Sequence, residues 1–260
     1  MINPEYLKPE SITALKESFN NAKPYKHLAI DNFLTPEFAQ ILHDNFPKPS
    51  DLTIHYKGLN EYKSEGSEFD KFHPAFKQLK GILNSEQWRK IISEITGIDG
   101  LYSVDDNMGS GVHQGVNGSY LDIHIDFNIH VDRNIHRRVN LLIFLNKDWK
   151  EEYGGHCEMW NADVTVKEKA YLPGYNRCVI FETNEISYHG YGKINLPEGK
   201  TRNSFFCYYY TDLRQDAARY HDTVFKARPE EGKIKKIKTN FKETLKNEVK
   251  YWAKKAGIKI

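Results

Sequence analysis

At 260 residues the chain has room for one large domain, or one domain with a helical annex. Apolar residues make up 39%, charged residues 28% and aromatics 13%, the profile of a soluble globular chain. The net charge of +2 gives no global pull towards nucleic acid or membrane, and no apolar run is long enough to predict a bilayer span. The opening stretch MINPEYLKPESITALKES carries no apolar h-region, so no secretory signal is expected there. Cys157, Cys178 and Cys207 are odd in number and lie in strand-like runs. They read as reduced core residues of a cytoplasmic protein, not as a disulfide framework or a zinc site.

The first hundred residues read mainly as helices. Thr35-Pro36-Glu37 is a helix start, followed by Phe38, Ile41, Leu42 and Phe46 at helical spacing. A second helix is capped by Ser85, carries Trp88, Ile91, Ile92 and Ile95 on one face, and stops at Gly97. Residues 50–70 are polar and irregular, loop with some strand, and YKHLAIDNF (25–33) fits an early strand. From about Leu101 the pattern changes to short strands, expected at 120–129, 138–146, 156–160, 177–182 and 203–211. Gly154-Gly155, Pro173-Gly174 and Gly190 to Gly192 punctuate them, and the whole suggests a sandwich or a jelly-roll barrel. In the tail, Ile234, Ile237, Phe241, Leu245, Val249 and Trp252 step by three or four. That predicts an amphipathic helix docked on the body, with a lysine-rich outer face. The divisions expected are 1–100 as a helical and mixed support, 101–212 as a β core, and 213–260 as a helical extension.

The stretch YLDIHIDFNIHVD (120–132) alternates. Leu121, Ile123, Ile125, Phe127 and Ile129 fall on one face of a strand; Tyr120, Asp122, His124, Asp126, Asn128 and His130 fall on the other. The first face needs an apolar partner, for which the N-terminal helices are candidates. The second is too polar for a packed core unless it lines a cavity or binds an ion, although a solvated surface strand shows the same alternation. Two His-x-Asp triplets, His124/Asp126 and His130/Asp132, each place two metal-ligand types on one side.

Downstream come VNLLIFLN, Gly154-Gly155, HCEMW, PGYNRCVIF, SYHG with His189, and Arg202-x-Ser204 before FFCYYY. Two imidazoles and one carboxylate on one side of Fe(II) leave coordination positions open for a chelating co-substrate and dioxygen. Arg202 and Ser204, two apart on a strand, point the same way. A guanidinium fork with a hydroxyl beside it suits the far carboxylate of such a co-substrate.

Over roughly residues 100–212 the chain resembles the iron(II)/2-oxoglutarate-dependent dioxygenases, in the prolyl-4-hydroxylase-like branch. The resemblance rests on His124 to Asn128 (HIDFN), Arg138 to Asn146, Gly154-Gly155, Asn176 to Phe181, Ser187 to Gly190 and Arg202 to Ser204, with IDNFL at Ile30–Leu34. It implies a mainly β chain with flanking helices (α+β). The core would be a double-stranded β-helix, a jelly roll, with N-terminal helices packed on it and a C-terminal amphipathic helix. It implies His124, Asp126 and His189 as metal ligands, and Arg202, assisted by Ser204, as the 2-oxoglutarate anchor. It places Asn140 and Phe144 on the strand facing the co-substrate. Phe144 stands where relatives often carry tyrosine, so a phenolic hydrogen bond there is absent or replaced. The interval of 13 residues between His189 and Arg202 makes Lys193 and Lys200 the fallback anchors.

The implied cofactors are Fe(II), 2-oxoglutarate and dioxygen, with ascorbate as an accessory reductant. Aspartate at 126, where related halogenases carry a small residue, favours hydroxylation. The expected substrate is a prolyl residue in a peptide or protein, or a free amino acid or other small metabolite. Of the other candidates, His130-x-Asp132 sits too near a turn, His136 reads as an exposed turn residue, and His156-x-Glu158 reads as structural. His113 and Gln114 are candidates for the pocket mouth. The rival class is a non-enzymatic jelly-roll module that binds a metal or another ligand. A third reading makes the lysine-rich tail a nucleic-acid arm. No membrane partner is expected, nucleic acid is disfavoured, and oligomeric state is not readable.

Overall fold

Proline opens three of the five helices, where its missing N–H costs no hydrogen bond: α1 (Pro9–Asn21), α2 (Pro36–Asp44) and α3 (Pro74–Leu83). The computed structural model describes residues 1–213 and 218–255, and all counts refer to these. Helix α4 (Glu86–Thr96) is capped by Ser85, whose Oγ accepts from the Trp88 N–H at 3.2 Å, and ends at Gly97 with φ of 70°. Both ends lie where the cap and stop residues predict them. Helix α5 (Lys233–Lys255) closes the described chain.

Twelve strands lie between α1 and α5. The first five are β1 (His27–Ile30), β2 (Ile54–Lys57), β3 (Glu61–Gly66), β4 (Ser110–Gly115) and β5 (Tyr120–Ile125). Then follow β6 (Ile135–Phe144), β7 (Cys157–Trp160), β8 (Lys167–Tyr171) and β9 (Arg177–Glu182). The last are β10 (His189–Tyr191), β11 (Arg202–Asp212) and β12 (Val224–Lys226). They pair antiparallel in the order β1-β9-β6-β11-β4-β3-β5-β10-β7-β8, with β2 beside β3 and β12 beside β5. The sheet curls into a nearly closed jelly-roll barrel.

Strand β11 explains why FFCYYY is apolar almost without a break. Phe205, Cys207 and Tyr209 turn to the core shared with α1 to α4, while Arg202, Ser204 and Tyr208 line the barrel interior. A strand buried on both faces reads as a continuous apolar run. Strand β6 does the same, with Val139, Leu141 and Ile143 under the helices and Asn140 and Leu142 inside. All three cysteines are free and buried.

Four sequence expectations need correction. First, the strand over 120–129 ends at Ile125, and a β-bulge against β10 interrupts its alternation, with His189 opposite His124 but Tyr191 opposite Leu121. Leu121 and His124 therefore line the cavity, whereas Asp122 turns to Arg228 and Lys235. Second, Ile123 and Ile125 pack on Trp160, Val164, Tyr188 and Val224, not on the N-terminal helices. Third, His136 is no exposed turn residue: β6 begins at Ile135, and His136 pairs with Thr211 and is buried. Fourth, α5 forms as expected but sits the other way round. Its polar side docks: Thr239 donates to Asn60 Oδ1 at 2.9 Å, Asn247 Oδ1 accepts from the Asp222 N–H at 2.8 Å, and Lys235 Nζ meets Asp122 at 2.7 Å. Its apolar stripe faces outward.

The helical layer is fixed to the barrel by a buried polar relay. Trp88 Nε1 donates to Tyr209 Oη at 2.8 Å, and Tyr209 Oη donates to the Leu83 carbonyl at 2.9 Å. Tyr209→Phe leaves the indole N–H and the carbonyl without this partner. The expected loss is about 1–3 kcal/mol of stability by chemical denaturation at unchanged m value. A variant as stable as the parent contradicts the relay.

Candidate functional site

The two imidazoles meet because β10 approaches β5 closely. A Cβ at Gly190 would lie 2.7 Å from the Leu121 carbonyl oxygen, so only glycine permits this approach. His189 then stands opposite His124, with ring centroids 4.2 Å apart. Asp126 follows just past the end of β5. Its carboxylate oxygens lie 3.7 Å from His124 Nε2 and 3.4 Å from His189 Nε2. The ligand atoms of the three side chains lie within 4.8 Å of one another, and no other such group occurs among the described residues.

Each histidine is oriented by its own strand. Nδ1 of His124 is 2.9 Å from the Asp122 carbonyl, and Nδ1 of His189 is 2.9 Å from the Ser187 carbonyl. A carbonyl only accepts, so Nδ1 carries the proton and Nε2 presents its lone pair to the cluster. Burial, then the neighbouring His189, pushes His124 down to about 3. Burial lowers His189 as well. For Asp126 burial acts upward, but the Arg137 guanidinium, then the two histidines and a hydrogen bond from Asn140, outweigh it. They hold its carboxyl well below the usual carboxylate range.

Two lone pairs and a carboxylate converging in a buried site are unfavourable unless a cation lies among them. The donor set of two imidazoles and one carboxylate, with open positions facing a cavity, fits Fe(II).

Behind Asp126 stand two further residues. Asn140 Nδ2 donates to Asp126 Oδ2 at 2.7 Å, Arg137 lies 3.2 Å from the same oxygen, and Arg137 Nε donates to Asn140 Oδ1 at 2.9 Å. The Arg137 guanidinium is sandwiched between the rings of Tyr208 at 3.5 Å and Phe127 at 4.5 Å. Asn140 lines the cavity as expected, but both ends of its amide are already engaged here.

Arg202 is buried, at 5% exposure. Its Nε donates to the Gly155 carbonyl at 2.8 Å, and its guanidinium lies over the rings of Tyr191 (4.1 Å) and Phe144 (5.0 Å). A Cβ at Gly155, whose φ is 70°, would fall 2.6 Å from Ile194 and 3.1 Å from Arg202 itself, which accounts for the Gly-Gly turn. Among the described residues no carboxylate pairs with Arg202. Such a guanidinium calls for an anion, and the inner cavity it lines is where one would bind. The far carboxylate of a 2-oxoglutarate molecule would supply that charge.

The inner cavity, of about 60 Å³, is lined by His124, Asp126, Asn140, His189, Arg202 and Ser204 among others. A second, outer cleft of about 360 Å³ carries Tyr56, Phe127, Phe206 and Phe225 on its walls. Lys63, Leu121, His124, Asp126 and Tyr208 border both, so the cluster lies at their junction.

Other sequence candidates fall elsewhere. His130 Nδ1 accepts from the Asp132 and Arg133 N–H groups and its Nε2 lies 3.1 Å from Asp106, so the second triplet closes a turn. His156 pairs with Glu151 at 2.7 Å, and Glu158 with Arg228 at 2.8 Å. Gln114 donates to the Pro47 carbonyl, but His113 lines the inner cavity, stacked on Phe206 and 3.1 Å from Glu65. Neither Lys193 nor Lys200 lines the inner cavity; Lys200 donates to the Asp148 carbonyl. Sequence reading missed Arg137, Lys63, Tyr191 and Tyr208. The Arg137-Arg138 pair was a signal, although the matched motif begins at Arg138. Lys63, ion-paired with Glu65, lies in a segment read as irregular and carried none.

Residues 110–210 match the family model described as the 2OG-Fe(II) oxygenase superfamily, a span that runs from β4 to β11 and includes the cluster. Among curated proteins, prolyl 3-hydroxylase OGFOD1 of Mus musculus is 24% identical over 194 residues, 72% of this chain and 33% of that protein. The match thus spans about a third of that relative's length. Among solved structures, a Pseudomonas putida prolyl-4-hydroxylase aligns with a TM-score of 0.55 at 17% identity, over 76% of this chain and 98% of the other. A Trichoplax adhaerens prolyl hydroxylase, solved with a hypoxia inducible factor oxygen degradation domain peptide fragment, gives 0.54 at 16% identity, over 81% and 98%. These two likenesses establish the barrel.

Asn140→Ala removes a hydrogen bond that orients Asp126. Anaerobic competition with a chelator is expected to show Fe(II) held about 10–100-fold more weakly. Unchanged metal affinity, with only the Michaelis constant for 2-oxoglutarate raised, contradicts a positioning role for this amide.

Proposed function

We propose that the barrel is a 2OG-Fe(II) oxygenase domain and that this chain hydroxylates an unactivated C–H bond of a prolyl residue in a peptide or protein. Support comes first from one juxtaposition. A cluster with the donor set of a ferrous site borders the same cavity as a buried guanidinium with no carboxylate partner among the described residues. A sugar- or ligand-binding jelly roll has no need of that arginine.

In this reading His124, Asp126 and His189 hold Fe(II), and Arg202 with Ser204 receives the distal carboxylate of 2-oxoglutarate. When bound, the metal and co-substrate supply oxidative decarboxylation to succinate and carbon dioxide, coupled to transfer of one oxygen atom of dioxygen to the C–H bond. The side chains do the rest. The two Nδ1–H···O=C bonds keep each Nε2 aimed at the metal position. Arg137 and Asn140 keep Asp126 ionised and fix its oxygens. Tyr191 and Phe144 press on the Arg202 guanidinium and exclude water, so its attraction for a carboxylate is little screened.

The outer cleft bears on the substrate. Its aromatic walls suit a pyrrolidine ring, and the charged groups Glu61, Lys63, Asp222 and Lys250 suit the polar backbone and side chains of a peptide. The names of the mouse relative and of the two solved structures point the same way.

The test is a screen of proline-containing peptides and free amino acids with Fe(II), 2-oxoglutarate and ascorbate, read by mass. A gain of one oxygen on a prolyl peptide, with matching succinate, is expected. Gain on free amino acids alone moves the reading to a small-molecule hydroxylase. Absence of both product and succinate leaves the ligand-binding module.

His189→Ala is expected to abolish succinate formation while the far-ultraviolet circular dichroism is retained. Arg202→Met is expected to raise the Michaelis constant for 2-oxoglutarate by at least about tenfold, the scale for losing one partner of a buried charge pair. Unaltered 2-oxoglutarate dependence in this variant assigns the anchor to another residue.

A further inference from the structure

Helix α5 presents its apolar side to solvent. Ile234, Ile237, Phe241, Leu245, Val249 and Trp252 are each more than half exposed, from 55% at Leu245 to 72% at Ile234. The opposite side is occupied: Thr239 and Glu243 are buried, and Lys246 and Lys250 pair with Glu243 and Asp222. The helix is therefore held by its polar contacts, and the stripe is left over. No other exposed large apolar side chains of the described residues form a comparable row.

Two features of the stripe narrow its occupant. The first is shape. The steps are three, four, four, four and three, eighteen residues in all, or about five turns at 3.6 residues each. The row thus runs straight along the helix axis. A coiled-coil seam with a strict seven-residue repeat would drift round a straight helix, and here the heptad positions after Phe241 carry Thr244, Glu248 and Tyr251. A straight row suits a flat partner. The second feature is charge. The helix holds nine lysines and two glutamates, a local excess of seven positive charges that the whole-chain value of +2 conceals. Lys233, Lys238, Lys242 and Lys255 are exposed beside the row. Pairing with a second copy would bring lysine against lysine.

We propose that α5 docks the protein on an anionic lipid bilayer, with the stripe in the headgroup and acyl boundary and the flanking lysines on the headgroups. This is surface binding; no helix of the described residues is long and apolar enough to cross a membrane. Lys250 and Asp222, on the docked side, line the outer cleft. The active-site opening therefore lies beside the helix and away from the lipid-facing row.

The protein carries its own reporter. Of its four tryptophans, Trp88, Trp149 and Trp160 are buried and Trp252 is 57% exposed. The full chain is mixed with vesicles of phosphatidylcholine alone, or of phosphatidylcholine with phosphatidylglycerol. Sedimentation with the anionic vesicles only, weakened by salt and accompanied by a blue shift of tryptophan emission, is expected. Phe241→Glu with Leu245→Glu is expected to weaken this binding by at least about tenfold, since both changes put a charge into the apolar row. The same double variant keeps its succinate formation, because neither residue touches the barrel site. Trp252→Phe keeps sedimentation and loses the emission shift. A chain that stays in the supernatant with anionic vesicles overturns the proposal. So does a dimer in solution that the double variant dissociates, which assigns the stripe to a second copy.

Discussion

The site depends on two backbone carbonyls. The Asp122 and Ser187 carbonyl oxygens each take the Nδ1 proton of the histidine two residues on, and so decide which ring nitrogen faces the cluster. Without those bonds each imidazole is free to rotate and to change tautomer, and the lone pairs no longer converge. The bonds exist because both histidines sit on paired antiparallel strands, and the strands pair closely because residue 190 has no side chain. The same glycine belongs to the SYHG motif, so motif and geometry have one cause.

The second constraint is electrostatic. Arg137, Arg202 and Lys63 are cations in or beside the interior. Two of them have protein carboxylates, Asp126 for Arg137 and Glu65 for Lys63. Arg202 has a carbonyl and two aromatic rings instead. Ionic groups buried this deeply persist only where partners offset their desolvation. Asp126 is ionised because Arg137 and Asn140 surround it, and that ionised state is the one a metal requires. Among the described residues Arg202 has no carboxylate partner, which is why the proposed reading places the anionic end of a ligand there.

Much of this was legible in the sequence, for physical reasons that differ by element. The helix at 86–96 could be read almost to the residue, because Ser85 and Gly97 act locally. The barrel strands β6, β9 and β11 announced themselves as apolar runs because both of their faces are covered. Strand β5 was legible in part: alternation located it but could not show the bulge that turns Asp122 outward, since the extra residue is recognisable only from the register against β10. The triad and Arg202 were recognised as an ordered set, whereas Arg137 and Lys63 were not. Their roles come from contacts across strands, which spacing along the chain does not encode. Helix α5 shows the limit most clearly. Its amphipathic pattern predicted the helix correctly and its orientation wrongly, because the barrel offers that helix Asn60, Asp122 and Asp222, not an apolar groove.

The central claim is that one pocket joins the His124, Asp126 and His189 cluster to the Arg202 guanidinium, with a ferrous ion and 2-oxoglutarate as its occupants. The most direct measurement is anaerobic visible spectroscopy while Fe(II) is titrated into the protein with 2-oxoglutarate present. A weak charge-transfer band that saturates at one iron per chain, and that is missing when succinate replaces 2-oxoglutarate, is the predicted result. A folded protein that gives no such band, or gives it equally with succinate, contradicts the account.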